Sequence, residues 1–270
     1  MSLGNSLACA TSCYGFQVNF EETVKHLSNL GFQNIEIMAI PNWFEHLKPE
    51  EMNKEHILKV KELLKTLNIK PIALSGHCEL GHRKESSRLK ERISLASALE
   101  IDQVVFGSGE IVNSEEEDNF YKSLEENIMF AEEKNIMLTL EAGGNFIPTG
   151  KKLSAILKKF NSRYLGATYD PANVISSSKV DPIKDIKYVL SYLSHVHIKE
   201  FKSDNDDYPP IGEGIVDFNS LFSLLHKEEY NGKFSFEVDC FKCSHAEANW
   251  KIKKSISHLK NKTVFFEYFK

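Results

Sequence analysis

Several features are missing from these 270 residues, and each absence removes a class of protein. No apolar run approaches the ~20 residues a helix needs to cross a bilayer, so no membrane association is expected. The opening MSLGNSLACATS lacks the basic start and long apolar stretch of a secretory signal, and a cytoplasmic protein is the expectation. Positive charge is in deficit: 33 Lys and Arg against 38 Asp and Glu leave a formal net charge of −5. Such a surface is not built to neutralise nucleic-acid phosphates, so the expected partner is a small molecule rather than nucleic acid. The five cysteines are too few, and odd in number, for a disulfide framework. Cys240 and Cys243 form a lone CxxC. A structural zinc site would need Cys9 and Cys13 as a second pair, which requires the chain ends to meet; buried packing thiols are the commoner outcome. A homo-oligomer is compatible with the sequence, which does not fix the assembly.

What is present is one rhythm repeated along the chain. Short β-branched or aromatic runs alternate with charged amphipathic segments. Strands are expected near Leu7 to Thr11 and in QNIEIMA, KPIALSG, DQVVFGS, IMLTLEA, YLGATYD, SYLSHVHIKEFK and KFSFEVD. Helices are expected near Phe20 to Leu30, Glu51 to Leu67, Ser86 to Leu99, Glu116 to Lys134 and Lys151 to Phe160. Three more follow Pro182, begin at Asp217, and run from His245 to Leu259. Parallel strands need crossover helices, and eight strand–helix units close naturally into a (β/α)8 TIM barrel of about 250 residues. With no linker-like break, residues 1–270 read as one such domain. An open doubly wound sheet is the runner-up, but its GxGxxG after the first strand is absent, since SCYGFQ has only Gly15.

Catalytic residues of such barrels gather at the C-terminal strand ends, so the test is which polar residues fall there facing inward. Side chains alternate along a strand. Leu138 and Leu140 share the outward parity, leaving Thr139 and Glu141 on the axis side. The same reading turns Asp170, His197 and Glu237 inward. Two glutamates, an aspartate and a histidine on four consecutive strands form a metal constellation, suited to one divalent ion such as manganese, magnesium, cobalt or zinc. Without a cation, three crowded carboxylates repel one another. His195, deeper in its strand, reads as a hydrogen-bonded core histidine or a support to a ligand.

Weaker signals surround these four. His77 and Glu36 have inward parity on strands three and two, and Asn173 follows Asp170 by three residues; each is a candidate to touch substrate, with a structural hydrogen bond as the plain alternative. Lys199, just past His197, suits a carbonyl or phosphate, or a salt bridge to a neighbouring acid. PPIGEGIVDF offers a Gly-rich loop, more readily a plain turn than a phosphate site, with Asp217 as helix N-cap. Trp43 and Phe44 in PNWFEHL are suited to line a pocket, although aromatics in such loops more often close over the core. Selectivity is expected to reside in loops 41–49 and 203–210.

The spacing of LEAGGNFIPTG, YDPAN, HVHIKE, PPIGEGIVDF and FSFEVD, with LGFQNIEI earlier, resembles the sugar isomerase and epimerase superfamily of xylose-isomerase-like barrels. The resemblance spans nearly the whole chain and places that family's metal ligands on Glu141, Asp170, His197 and Glu237. It implies isomerisation or epimerisation of a small sugar, sugar phosphate or inosose. Glu141 and Glu237 would exchange the proton through a metal-stabilised enediolate, with His77, Asn173 and Lys199 on the substrate. LEAGGNFIPTG looks more like the inosose and sugar-phosphate branch, because the NR.E segment of ketose 3-epimerases is absent. A dehydratase acting on an inosose or dehydroshikimate is the alternative within the fold. A non-catalytic sugar-binding barrel and an endonuclease IV-like repair nuclease are further ones. The nuclease's three-zinc cluster lacks histidines here, at FGSG, at Asn173 and at Tyr208.

Overall fold

The computed structural model describes residues 7–15, 18–204, 207–241 and 243–260. The opening segment MSLGNS and, within the 203–210 loop, Asn205 and Asp206 lie outside the described residues. Among the described residues eight parallel strands close into a barrel in sequence order. They are β1 Leu7–Ala10, β2 Asn34–Met38, β3 Lys70–Ser75, β4 Gln103–Phe106, β5 Met137–Ala142, β6 Leu165–Tyr169, β7 Leu193–Ile198 and β8 Lys233–Phe236. Closure is made where β1 pairs with β8, Leu7 opposite Phe234.

The helices between them are α1 Phe20–Asn29, α2 Lys54–Thr66, α3 Ser86–Ala98, α4 Ser114–Lys134, α5 Gly150–Phe160, α6 Pro171–Ser178, α7 Pro182–Asp185, α8 Phe218–Lys227 and α9 His245–Lys260. Side-chain caps set many of their starts. Asn19, Asn53, Asn113, Thr149 and Asp217 each accept a backbone N–H from the first turn of the helix that follows. The sixth crossover departs from expectation. A helix begins at once after β6, with Asp170 as N-cap and Pro171 at its first position, and only one short turn of α-helix follows Pro182.

Alternation along the strands divides the interior in two. Outward residues such as Val104, Phe106, Leu138, Leu140, Phe234 and Phe236 are buried against the helices in one apolar cluster. Several inward residues at mid-barrel are polar and hydrogen-bond one another. Thr168 Oγ1 donates to Thr139 Oγ1 at 2.8 Å, and Gln103 Nε2 donates to the same oxygen at 3.1 Å. This layer forms the floor beneath the C-terminal rim.

The loop after β2 is pinned from outside by one buried guanidinium. Arg92, 2 % exposed, donates from Nε to the Ala39 carbonyl at 3.0 Å and pairs with the carboxylate of Glu45. Gly76 makes room for it, since a Cβ there would stand 2.8 Å from Arg92 Cγ. The pinned segment folds back on itself: Ile40 N–H bonds Phe44 O at 2.8 Å, and Asn42 takes the left-handed turn conformation. It thereby carries Trp43 and Phe44 to the rim. Removing one partner of a buried ion pair costs about 3–5 kcal/mol, because the other charge is left without compensation. We expect Arg92→Leu to lower urea-unfolding stability by about that amount; a cost near zero would contradict the anchoring role.

Candidate metal centre

Strand ends bring Glu141, Asp170, His197 and Glu237 to the same rim. Glu141 is the fifth residue of β5, His197 the fifth of β7, and Asp170 directly follows β6. Glu237 follows β8 and extends its pairing, its N–H bonding Ile198 O at 3.0 Å. One ligand atom from each of Glu141, Asp170 and His197 lies within 4.8 Å of the others. Glu237 stands a little apart: its Oε2 is 3.7 Å from His197 Nδ1 but 3.1 Å from Lys199 Nζ.

The polar atoms of this group lack other partners. Asp170 Oδ1 caps α6, accepting from Ala172 N at 2.8 Å and Asn173 N at 3.1 Å, which turns Oδ2 away from the helix. Asp170 Oδ2, Glu141 Oε1 and His197 Nδ1 are buried without a hydrogen-bond partner. Glu141 Oε1 and His197 Nδ1 are 2.7 Å apart, yet out of line for a hydrogen bond. Buried polar atoms left open in this way are costly unless something binds them. An oxygen and imidazole set of this composition fits a divalent cation and does not choose sharply among manganese, magnesium, cobalt and zinc.

Charge balance supports the same reading. Burial pushes the Asp170 carboxyl up to about 7, with Glu141 and Glu237 adding to the rise against the pull of Lys199. Burial also opposes ionisation of Glu141, but the His197 charge beside it outweighs this and holds the carboxyl below its usual range. Burial works against an imidazolium at His197, yet Glu36 and Glu141 raise its pKa well above the ordinary value. Lys199 is likewise held above its usual range by Glu237 and Asp170 despite burial. Metal-free, the site therefore borrows protons to offset its carboxylates.

The surrounding residues fall partly as the sequence reading expects. His77, Asn173 and Lys199 line one cavity of about 550 Å³ together with Glu141, His197 and Glu237. His77 Nε2 is 3.7 Å from Glu141 Oε2, and Gly107 clears its place, since a Cβ there would meet His77 Nδ1 at 2.8 Å. Lys199 is engaged as a salt-bridge partner, 3.1 Å from Glu237 and 3.9 Å from Asp170. His195 is fully buried, with Nδ1 3.1 Å from Gln103 Nε2 and Nε2 2.7 Å from Ser235 Oγ, as a core histidine should be.

The remaining readings divide: some are overturned, and the plain-turn and packing-thiol expectations are met. Glu36 does not reach the cavity: it is fully buried at mid-barrel, 3.3 Å from His197 Nε2. Trp43, 48 % exposed, does not close over the core but lines the cavity, whereas Phe44 is buried against Ala10, Met38 and Ile40 and also borders the cavity. The Gly-rich loop does not offer its amides to a phosphate. The buried Glu200 takes them, Oε2 accepting from Gly212 N and Oε1 from Val216 N, each at 2.9 Å. The β1–β8 pairing does bring the two ends of the barrel together, but all five cysteines are free. Among the described residues no cysteine belongs to a group of three or more metal-ligating side chains.

A closed eight-stranded parallel barrel with this rim is the architecture of xylose isomerase-like TIM barrels, and residues 24–262 match that family. The chain belongs to it. An inosose dehydratase of Bacillus cereus (strain AH820) is 21% identical over 238 residues, covering 80% of this chain and 74% of that protein. A xylose isomerase domain protein from Planctomyces limnophilus superposes with a TM-score of 0.79 at 14% identity, over 96% of this chain and 97% of the other. The IOLI protein, solved with a bound zinc atom, gives 0.77 at 20% identity, over 98% and 99%. Among the described residues no helix is long and apolar enough to cross a membrane.

The raised values at His197 and Asp170 give a sign to metal binding. Both groups hold protons near neutrality in the metal-free state, and a cation must displace them. Affinity should therefore rise with pH through about 7. Calorimetric titration in buffers of different ionisation enthalpy at that pH should report proton release; binding with none would contradict the charge balance.

Proposed function

We propose that the chain is a divalent-metal-dependent isomerase or epimerase of a small sugar or inosose. The observation that carries this reading is the convergence of Glu141 and Glu237, from strands flanking Asp170 and His197, on one cavity of about 550 Å³. A cavity of that size suits a single small ligand. An uncharged polyol is favoured over a sugar phosphate, because Lys199 is already paired and Glu200 occupies the glycine-loop amides.

Glu141, Asp170, His197 and Glu237 would hold a divalent cation, which would supply Lewis-acid polarisation of a substrate carbonyl. The chain's own residues move the proton. Glu141, kept ionised by its neighbours, removes it from the carbon beside the carbonyl, and His77 is placed to relay it onward. Glu237, after taking up a proton from solvent in the cavity it lines, returns it to the substrate carbon at its own side, while the Lys199 ammonium at 3.1 Å stays protonated and hydrogen-bonds its carboxylate. Asn173 and the Trp43–Phe44 wall orient the substrate and exclude water.

A dehydratase is the second reading, and one observation favours it. Lys199 sets a protonated amine beside one of the two glutamates, which suits assistance to a departing hydroxyl. The same proton abstraction then ends in loss of water instead of reprotonation. The inosose dehydratase relative adds weight to it.

Incubation of metal-loaded protein with ketoses and inososes in deuterated water tests both readings. The unaltered protein should place deuterium on the carbon next to the carbonyl, and Glu141→Gln or Glu237→Gln should abolish this while thermal unfolding stays cooperative. Unchanged exchange in both variants overturns the assigned roles. A product lighter by one water selects the dehydratase.

A further inference from the structure

Beneath the rim lies a second cluster that the proton-transfer scheme does not use. Glu36, His195 and His197 also bring ligand atoms within 4.8 Å of one another. It is not a second metal site. Glu36 and His195 have no exposed surface, only one carboxylate is present, and both nitrogens of His195 are occupied.

The hydrogen bonds around His195 settle its protons. Gln103 presents its amide nitrogen, which can only donate, to His195 Nδ1 at 3.1 Å, so Nδ1 is the accepting nitrogen. The proton therefore sits on His195 Nε2, which is 2.7 Å from Ser235 Oγ and 3.4 Å from Glu36 Oε2. The same oxygen of Glu36 is 3.3 Å from His197 Nε2. Among the described residues neither Glu36 Oε2 nor His197 Nε2 has an aligned hydrogen-bond partner, so at 3.3 Å each is the nearest group the other can pair with, and a carboxylate buried at this depth requires a proton facing it. The two rings are nearly perpendicular, in a T-shaped arrangement with centroids 5.1 Å apart and planes at 79°.

We infer that Glu36 is a positioning residue for the metal centre: it holds a proton of His197 on Nε2, so that Nδ1, which faces Glu141, Asp170 and the cavity, is the nitrogen offered to a cation. The inference rests on the metal-binding reading of the rim. A histidine ligand whose other nitrogen donates to a carboxylate is locked in tautomer and ring angle, and loss of that partner weakens metal binding about 10- to 100-fold. Gln103, Thr139 and Ser235 extend the support, holding His195 so that Glu36 cannot swing away.

Glu36→Gln keeps the shape but removes the charge, and its amide can turn to donate to Nε2, which favours the wrong tautomer. Zinc binding by chelator competition should weaken about 10- to 100-fold in this variant. Side-chain nitrogen NMR of the zinc-loaded unaltered protein should show His197 protonated at Nε2 and metal-bound at Nδ1. This second measurement needs no variant and stands if Glu36→Gln fails to fold. Equal zinc affinity in a folded Glu36→Gln, or zinc on Nε2 of His197, overturns the inference and leaves the metal site intact. Failure of the unaltered protein to bind zinc, manganese, magnesium or cobalt overturns the metal reading and this inference with it.

Discussion

The site depends on one constraint: His197 is held between carboxylates at both ring nitrogens. Glu36 faces Nε2 at 3.3 Å from below, and Glu141 faces Nδ1 at 2.7 Å from the rim. A buried imidazole so placed cannot rotate without separating one of these charges from its partner. Its ring angle is therefore fixed by the barrel. The direction of Nδ1 follows, and with it the point on which Glu141 and Asp170 converge, with Glu237 a little apart beside Lys199.

The rest of the molecule serves that geometry from two sides. Below, a hydrogen-bonded layer of Gln103, Thr139, Thr168, His195 and Ser235 replaces the aliphatic filling typical of such barrels and makes a rigid polar floor. Above, loops shape the cavity, and buried charges hold them. Arg92 ties down the segment bearing Trp43 and Phe44, while Glu200 gathers the glycine loop by its backbone amides. Buried ions in these roles contribute geometry more than stability, which is consistent with their position next to a site that must be preorganised.

Much of this was legible in the sequence because strand parity is a strict rule. Leu138 and Leu140 facing the helices force Glu141 inward, and the same logic places His197 and Glu237. Depth was harder to read. Glu36 and Glu141 share inward parity, but Glu36 lies mid-strand in β2 while Glu141 is near the end of β5, and stagger between strands decides which meets solvent. A register shift between Ile35 and Glu36 adds to that offset. Helix α6 starts with Asp170 as N-cap and Pro171 at its first position, a pattern readable in YDPAN, and the aspartate serves both the cap and the rim, one oxygen for each. Loop outcomes such as the exposure of Trp43 depend on Arg92, about 50 residues away in sequence, a contact that local pattern cannot encode.

Glu141, Asp170, His197 and Glu237 are proposed to form one divalent-metal site. Elemental analysis of the purified protein beside an Asp170→Asn variant, after equilibration with mixed divalent metals and removal of excess, tests it most directly. About one ion per chain is expected in the unaltered protein, and loss of it in the variant. Equal metal content in the two proteins, or none in either, would contradict it.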